Sequence, residues 1–248
     1  MKTLLRLLTG AILVAFLVIG YNAGVNAATI TKTLLNDTRI VPPGRISVIG
    51  IPEFKRGTTV ILNEKGEVME GTLNSYTDLP CVGGAPFYYF SYFSNDQSMI
   101  PNRILNFKAG TKVTFNEKGE VTKGTINGAF VFIPIDLVNT VWVQDGTEVS
   151  FHENGVLSTG ILHTNTYFRP LGWVNFINEN NSENLIAPGF VSFKGGAKIA
   201  INDKGEVIKG TLNNDTKLIS PSGNIKVYEA GTTVEFDDNG VVVKAIKQ

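Results

Sequence analysis

The strongest constraint on the fold of this chain is one β-hairpin pattern that occurs five times. Each copy has two large apolar residues two positions apart, then an Asn- or Asp-rich turn ending in Gly, then a second apolar strand that ends in a small residue. The copies span residues 60–71, 113–124, 149–160, 199–210 and 234–245. Apolar residues at period two are typical of half-buried strands. Internal repeats of this kind define the architecture before any single residue is interpreted.

The turn chemistry supports the hairpin interpretation. The turns occupy residues 63–66, 116–119, 152–155, 202–205 and 237–240. Asn or Asp at the first position can accept hydrogen bonds from its own turn backbone, and Gly at the fourth supplies the left-handed conformation that closes such a turn. His152 replaces Asn or Asp in the third copy, so that turn departs from the pattern.

Two further elements recur between the hairpins. An apolar anchor three residues before a Gly precedes every copy, at Phe54, Phe107, Val143, Phe193 and Tyr228. Asn-Asp and Pro-Gly turns flank additional short apolar segments, which gives about four short strands per unit. The sequence therefore predicts an all-β fold, a repeat array of β-hairpins forming an elongated twisted meander or solenoid. A five-bladed β-propeller is the alternative, although the uneven unit lengths argue against it.

Long and short units alternate along the chain. The long units carry inserts at residues 77–106 and 163–192. The spacing of the turn glycines over one long and one short unit gives a super-repeat of about 85 to 90 residues, as in an internally duplicated repeat protein. Insertions in a regular array map to one face, which is often the binding face.

The motif V-x-F-N-E-K-G-E-V-x-x-G, seen at residues 113–124, resembles bacterial MORN-like repeats, which are runs of β-hairpins stacked into an elongated sheet. The resemblance covers the five hairpins. It implies a scaffold or binding role rather than catalysis, and it carries over no functional residue.

The first 27 residues read as a secretory leader. Lys2 and Arg6 precede an apolar run over 7–21, and Val25 and Ala27 suit a cleavage site. We expect a single β-repeat domain over 28–248, exported to the periplasm, the cell surface or the medium. No later segment is apolar enough to span a membrane.

The charge of the chain limits the classes of partner, and its cysteine content limits how the fold is stabilised. Without Lys2 and Arg6 the chain has two more acidic than basic residues and no Lys/Arg run, so we expect no nucleic-acid partner. Cys81 is the only cysteine, which rules out a disulfide framework. A small buried side chain is the favoured interpretation of Cys81; a reactive thiol or an intermolecular disulfide is the alternative.

Motifs for catalysis, metals and cofactors are absent from the sequence. It has no G-x-S-x-G, C-x-x-C, H-E-x-x-H, EF-hand or phosphate-loop pattern. The two histidines, His152 and His163, flank the third hairpin, and His152 occupies a turn position. We therefore predict no catalytic, metal or cofactor-binding residue and no enzyme activity.

The inserts contain the sharpest feature, a concentration of aromatic residues. Residues 87–93 read FYYFSYF, so a strand there would be aromatic on both faces. Such rings pack a core or form an exposed contact surface for a protein or a glycan. The candidate contact residues are Tyr88, Tyr89, Phe90, Tyr92, Tyr167, Phe168 and Trp173.

Three functions follow in order of preference. The first is an exported binding or scaffold module whose aromatic inserts contact a partner. The second is a structural envelope protein that self-associates through its end strands, for example at residues 234–246. The third is a polysaccharide hydrolase, with carboxylates drawn from Asp78, Asp96, Glu179 and Glu183.

Overall fold

The structure, a computed structural model, describes residues 29–44, 51–82, 104–128, 131–134, 140–176 and 189–247. Within these ranges the chain is built from short β-strands and one 3-10 helix, η1. In chain order the elements are β1 Ile30–Thr33, β2 Thr38–Arg39, β3 Glu53–Phe54, β4 Thr59–Leu62, β5 Val68–Thr72, β6 Thr77–Pro80, β7 Ile104–Phe107, β8 Lys112–Phe115, β9 Val121–Thr125, β10 Val131–Pro134, β11 Thr140–Val143, β12 Glu148–Phe151, β13 Leu157–Ile161, β14 Thr166–Phe168, η1 Trp173–Phe176, β15 Val191–Phe193, β16 Lys198–Ile201, β17 Val207–Thr211, β18 Thr216–Ile219, β19 Ile225–Tyr228, β20 Thr232–Phe236 and β21 Val242–Lys247.

Eleven of these strands form one antiparallel sheet, called the main sheet here. Its order is β1-β4-β5-β8-β9-β12-β13-β16-β17-β20-β21, so the five repeated hairpins lie side by side in chain order. At the usual strand spacing the sheet is about 48 Å across. The predicted all-β meander is confirmed. The propeller alternative is wrong, because one continuous open sheet takes the place of five separate blades.

The other strands form five two-stranded ribbons, an arrangement that the sequence analysis did not anticipate. Ribbon 1 is β2–β3, ribbon 2 is β6–β7, ribbon 3 is β10–β11, ribbon 4 is β14–β15 and ribbon 5 is β18–β19. Each ribbon follows one main-sheet strand and leads into the next hairpin. The chain therefore builds two layers alternately, a hairpin in the main sheet and then a ribbon.

The hairpin turns have the predicted chemistry. In the first, Asn63 Oδ1 accepts hydrogen bonds from the backbone N–H groups of Lys65 and Glu67, both at 3.0 Å, and Gly66 has φ +77°. Ile61 pairs with Glu70 and Leu62 with Val68, which leaves Met69 as an extra residue on the second strand. The same register shift recurs in the other four hairpins.

The core lies between the main sheet and the ribbons. In the first unit the anchor Phe54 is fully buried beside Val60 and Gly71. The Phe54 backbone also bridges to Leu73, just beyond the end of β5. Phe107, Val143 and Phe193 make the equivalent bridges to Ile126, Leu162 and Leu212. Four of the five apolar anchors predicted from sequence therefore fasten their ribbons to the buried face of the sheet.

A second set of bridges holds the other end of the ribbons. Cys81 pairs in parallel with Val121, Pro170 with Val207, and Ile219 with Val241. Each of these residues follows the first strand of its ribbon or ends it, and each contacts the start of the second strand of the next hairpin or the residue just before it. Both ends of a ribbon are thus tied to the same unit.

The opposite face of the main sheet is polar, and its charges are paired across strands. Lys112 Nζ lies 2.8 Å from Glu70 Oε1. Lys123 Nζ lies 3.0 Å from Glu148 Oε1, and Lys209 Nζ lies 3.4 Å from Glu235 Oε2. These partly exposed pairs hold the sheet register weakly.

Candidate functional site

The aromatic residues of the second insert fall on opposite faces of ribbon 4. Tyr167 and Phe168 are neighbours in β14, so their side chains point in opposite directions. Phe168 is only 1 % exposed and packs edge-on against Phe193, with ring centroids 6.1 Å apart and planes at 65°. The prediction of Phe168 as a contact residue is wrong, because its ring belongs to the core. Tyr167 is 46 % exposed on the outer face of the ribbon.

Arg169, which the sequence analysis did not single out, lies at the centre of this outer surface. Its backbone carbonyl accepts a hydrogen bond from the Val207 N–H at 2.9 Å, and the Leu171 N–H donates to the Val207 carbonyl at 2.9 Å. The main chain is therefore fixed on both sides of Arg169 by strand β17. The side chain of Arg169 is exposed.

Two aromatic rings hold the Arg169 guanidinium. Its Cζ lies 3.9 Å from the centroid of Trp173 and 4.9 Å from the centroid of Phe190. Phe190 stands directly before β15, opposite Arg169, since Phe168 pairs with Val191 in the adjacent register position. Both rings lie within the distance at which a cation is attracted to an aromatic face. Arg169, Trp173, Phe190 and Tyr167 are called the arginine cluster below.

The position of Trp173 is set by the start of η1. The Trp173 N–H donates to the Pro170 carbonyl at 3.1 Å, and Trp173 packs against the core. A Cβ atom on Gly189 would lie 2.6 Å from Trp173 Cε3, so only glycine allows this close approach. The predicted contact residue Trp173 is therefore half-buried, with its indole already engaged by its own chain.

The segment that carries the cluster also docks on the last hairpin. A Cβ on Gly172 would be 2.2 Å from the Gly240 nitrogen, and the Asn175 side chain donates to the Asn239 carbonyl at 2.8 Å. Residues 41–44 make the corresponding contact on the second hairpin, because a Cβ on Gly119 would be 2.3 Å from the Pro43 carbonyl oxygen. The cluster thus rests on two hairpins and has a fixed base.

Comparison of the ribbons shows that Arg169 departs from the repeat. Arg169 follows the Phe168–Val191 pair, and the matching register positions hold Pro80 in ribbon 2, Pro134 in ribbon 3 and Ile219 in ribbon 5. Val41 matches it in ribbon 1, because Val41 accepts the equivalent hydrogen bond from Val68. A cation thus stands where the other units have an apolar residue. This break in the repeat is the signal that could have identified Arg169 from sequence, had the ribbon register been known.

The pairing of the arginines differs in the same way. Arg39 in ribbon 1 lies opposite Glu53, and its Nε is 3.8 Å from Glu53 Oε1. Within the part of the chain that the structure describes, Arg169 has neither a salt bridge nor a side-chain hydrogen bond. The N–H donors of the guanidinium are therefore not used by side chains or carboxylates of the described residues, and the group lies over two aromatic rings.

The remaining candidates lie elsewhere or outside the described ranges. Tyr88, Tyr89, Phe90 and Tyr92 of the first insert fall in residues 83–103, which the structure does not describe. Trp142 pairs with Phe132 on ribbon 3, and in the register of ribbon 4 Phe132 matches Tyr167 while Trp142 matches Ser192. The contact role of the first insert stays a prediction.

Of the carboxylates considered for hydrolysis, one lies in the described ranges and three lie outside them. Asp78 is exposed on ribbon 2, where its Oδ1 accepts a hydrogen bond from Asn106 at 2.7 Å. Asp96, Glu179 and Glu183 lie outside the described residues. Among the described residues no group of three or more His, Cys, Asp or Glu side chains is placed to hold a metal ion.

The positions of the single cysteine and the two histidines in the fold are as follows: one is buried, one is bonded in a turn and one is exposed. Cys81 is fully buried, and burial raises the pKa of its thiol well above the ordinary value. The predicted buried environment of Cys81 is confirmed. His152 Nε2 lies 2.7 Å from the Ile201 carbonyl oxygen, so the third turn is tied to the fourth hairpin through its atypical residue. His163 is exposed at the end of the third hairpin.

Comparisons with known proteins give no relationship to set beside this geometry: no protein-family model matches the chain, and no curated protein matches it. None of the helices in the described ranges is long and apolar enough to cross a membrane.

Proposed function

We propose that the protein is an exported, non-catalytic binding module that holds a partner on the outer face of ribbon 4, through the arginine cluster. The observation that carries the proposal is an exposed arginine whose guanidinium lies against two aromatic rings, with no ionic partner in the described part of the chain. Arginine, tryptophan and tyrosine are the residues most enriched where alanine substitution weakens protein interfaces.

The rigidity of the cluster supports a binding role. Binding costs free energy when flexible side chains become ordered at an interface. The Arg169 side chain is already held by Trp173 and Phe190, and its backbone by Val207. A partner therefore meets a preformed surface. Export follows from the leader pattern at residues 1–27 and belongs to the same proposal.

Site-specific photo-crosslinking tests this function. A photoreactive benzoylphenylalanine is placed at Tyr167 in the full chain, expressed in its own cells, and the same residue at Tyr76 is the matched control. Tyr76 is 59 % exposed and stands beside ribbon 2, away from the cluster. We expect a discrete adduct from position 167 that is absent from position 76 and is lost when Arg169→Ala is added. Equal adduct patterns at both positions, or none at 167, would contradict the proposal.

A structural, self-assembling role is the second candidate. The observation in its favour is that β1 and β21 are both edges of the main sheet, and that Val243 and Ile246 on β21 are exposed. Unpaired edge strands are templates for pairing with another chain. Lys244 and Lys247 on the same strand oppose such pairing, since lysine on an edge strand discourages it.

A further inference from the structure

The ligand chemistry of the arginine cluster follows from which parts of Arg169 remain available. The guanidinium carbon lies over the Trp173 ring, 3.9 Å from its centroid, and over the Phe190 ring, 4.9 Å from its centroid. A guanidinium is planar and carries its five N–H donors around its edge. An oxyanion binds this edge, where two parallel N–H bonds can be made to two oxygens of one anion.

The same geometry disfavours stacking as the way of binding. One face of Trp173 is occupied by the guanidinium, and Gly189 lies against the six-membered ring of the indole. Phe190 is half-buried and also faces Arg169. Rings engaged in this way offer little open surface to a sugar. The arginine edge, rather than the aromatic rings, is the recognition element.

Charge balance favours a carboxylate over a phosphate. One guanidinium neutralises one carboxylate, which matches it in planar, bidentate geometry. A phosphate monoester carries nearly two negative charges at pH 7. A single cation set among apolar rings leaves the second charge uncompensated.

We propose that Arg169 is the receptor for a carboxylate carried by an acidic segment of a partner protein, with Trp173 and Phe190 holding the guanidinium in the receiving orientation. This inference rests on the binding role proposed above and assigns its ligand class. Tyr167, in β14, lies two residues before Arg169 and presents its exposed ring beside the bound segment.

The test is a titration of the full chain with a hexaglutamate peptide at low ionic strength, followed by NMR. The chain has two tryptophans, so the indole N–H signal of Trp173 is assigned with a Trp142→Phe variant. We expect a saturable shift of the Trp173 indole and the Arg169 side-chain N–H signals. A hexaglutamine peptide, which has the same length and no charge, should cause none.

Variants then distinguish recognition by the guanidinium edge of Arg169 from non-specific attraction of the peptide to positive charge. Arg169→Lys keeps the charge but loses the planar fork, and we expect roughly tenfold weaker binding. Arg39→Gln removes a paired arginine from the equivalent face of ribbon 1 and should bind as wild type. Equal affinities of wild type and Arg169→Lys would overturn the proposal, as would tighter binding of inorganic phosphate than of the peptide.

A last experiment tests whether a carboxylate of the same chain already pairs with the Arg169 guanidinium. Glu179→Gln with Glu183→Gln should leave the Arg169 side-chain signal of the free protein unchanged. If that double variant shifts the signal, the guanidinium is paired internally and the proposal fails. If hexaglutamate does not bind while the crosslink at Tyr167 persists, the binding role stands and only the carboxylate assignment is lost.

Discussion

The ring of Phe54 covers Gly71 so closely that a Cβ atom at position 71 would lie 2.5 Å from Phe54 Cδ1. The glycine next to the last residue of the second strand of a hairpin therefore forms one contact with the aromatic anchor that precedes the hairpin. Phe107 with Gly124 and Phe193 with Gly210 repeat it, at 2.7 and 2.6 Å. This contact joins the two layers.

The first prediction concerns the contribution of this contact to the free energy of unfolding. Gly210→Ala should lower the free energy of unfolding by about 1–3 kcal/mol, because the added methyl group overlaps the ring of Phe193. Gly160→Ala should cost less, since its Cβ would lie 3.2 Å from the smaller Val143. Urea unfolding of both variants measures the difference. Equal losses would show that strand propensity, not the close approach, sets the cost.

The second prediction separates two neighbouring residues of β14. Phe168→Ala should destabilise the protein by about 3–5 kcal/mol, because it removes a buried ring. Tyr167→Ala should change stability by less than about 1 kcal/mol, since its ring is exposed. Thermal and urea unfolding of the two variants check this. A large loss of stability in Tyr167→Ala would place that ring in the core and remove it from the contact surface.

The third prediction concerns the turns. Asn116 Oδ1 accepts hydrogen bonds from the N–H groups of Lys118 and Glu120, both at 2.9 Å. Asn116→Ala should therefore cost about 1–2 kcal/mol of stability. Asn116→Asp keeps both acceptors, as Asp237 does in the fifth turn, and should cost less. If the alanine and aspartate variants are equally destabilised in urea, these hydrogen bonds are not what holds the turn.

The fourth prediction is a pH dependence. Burial raises the pKa of the Cys81 thiol, so the folded chain keeps its proton at a pH where the unfolded chain has lost it. The stabilisation is fully present below the unfolded thiol pKa and is lost as pH rises above it. Between pH 8.5 and the onset of lysine titration, wild type should lose up to about 1.4 kcal/mol per pH unit more than Cys81→Ala.

Unfolding curves of the wild type and of Cys81→Ala across this range provide the measurement. Parallel loss of stability in the two proteins would mean that the thiol ionises without opening the core. Reaction with a thiol reagent gives an independent check, because the native protein should label only as fast as it unfolds.

The fifth prediction addresses self-assembly. Lys244 and Lys247 lie on the exposed edge strand β21, and Lys247 forms an ion pair with Glu229. Wild type should be monomeric in light scattering at all concentrations, whereas Lys244→Val with Lys247→Val should associate increasingly with concentration. Association of the wild type that disappears when residues 242–247 are deleted would instead favour the structural role.

The hairpins were predictable because their determinants are local. Alternation at Val60 and Leu62, an acceptor at Asn63 and a left-handed Gly66 specify strand, turn and strand within one short segment. The layer of ribbons was not predictable from sequence, because no residue in β6 or β7 distinguishes a strand of the main sheet from a strand of the second layer. That choice depends on Phe107 reaching Gly124, a contact between two elements.

The candidate site was predictable only in part, for a related reason. Aromatic content identified the second insert, but Tyr167 and Phe168 could be assigned to opposite faces only after β14 had a partner strand. Arg169 gave no signal by itself, because a lone arginine in a loop is ordinary. Arg169 became a candidate only because folding brings Trp173 and Phe190 against its guanidinium.

Because every unit contributes two strands to the main sheet and one ribbon above it, the molecule can be lengthened or shortened only in steps of a whole unit if each ribbon is to stay packed on the hairpin that follows it. A unit gained or lost changes the sheet by an even number of strands, so both ends keep their direction and the same side stays covered. Relatives of different length are therefore expected to differ by whole units, with loop variation confined to the ribbon tips.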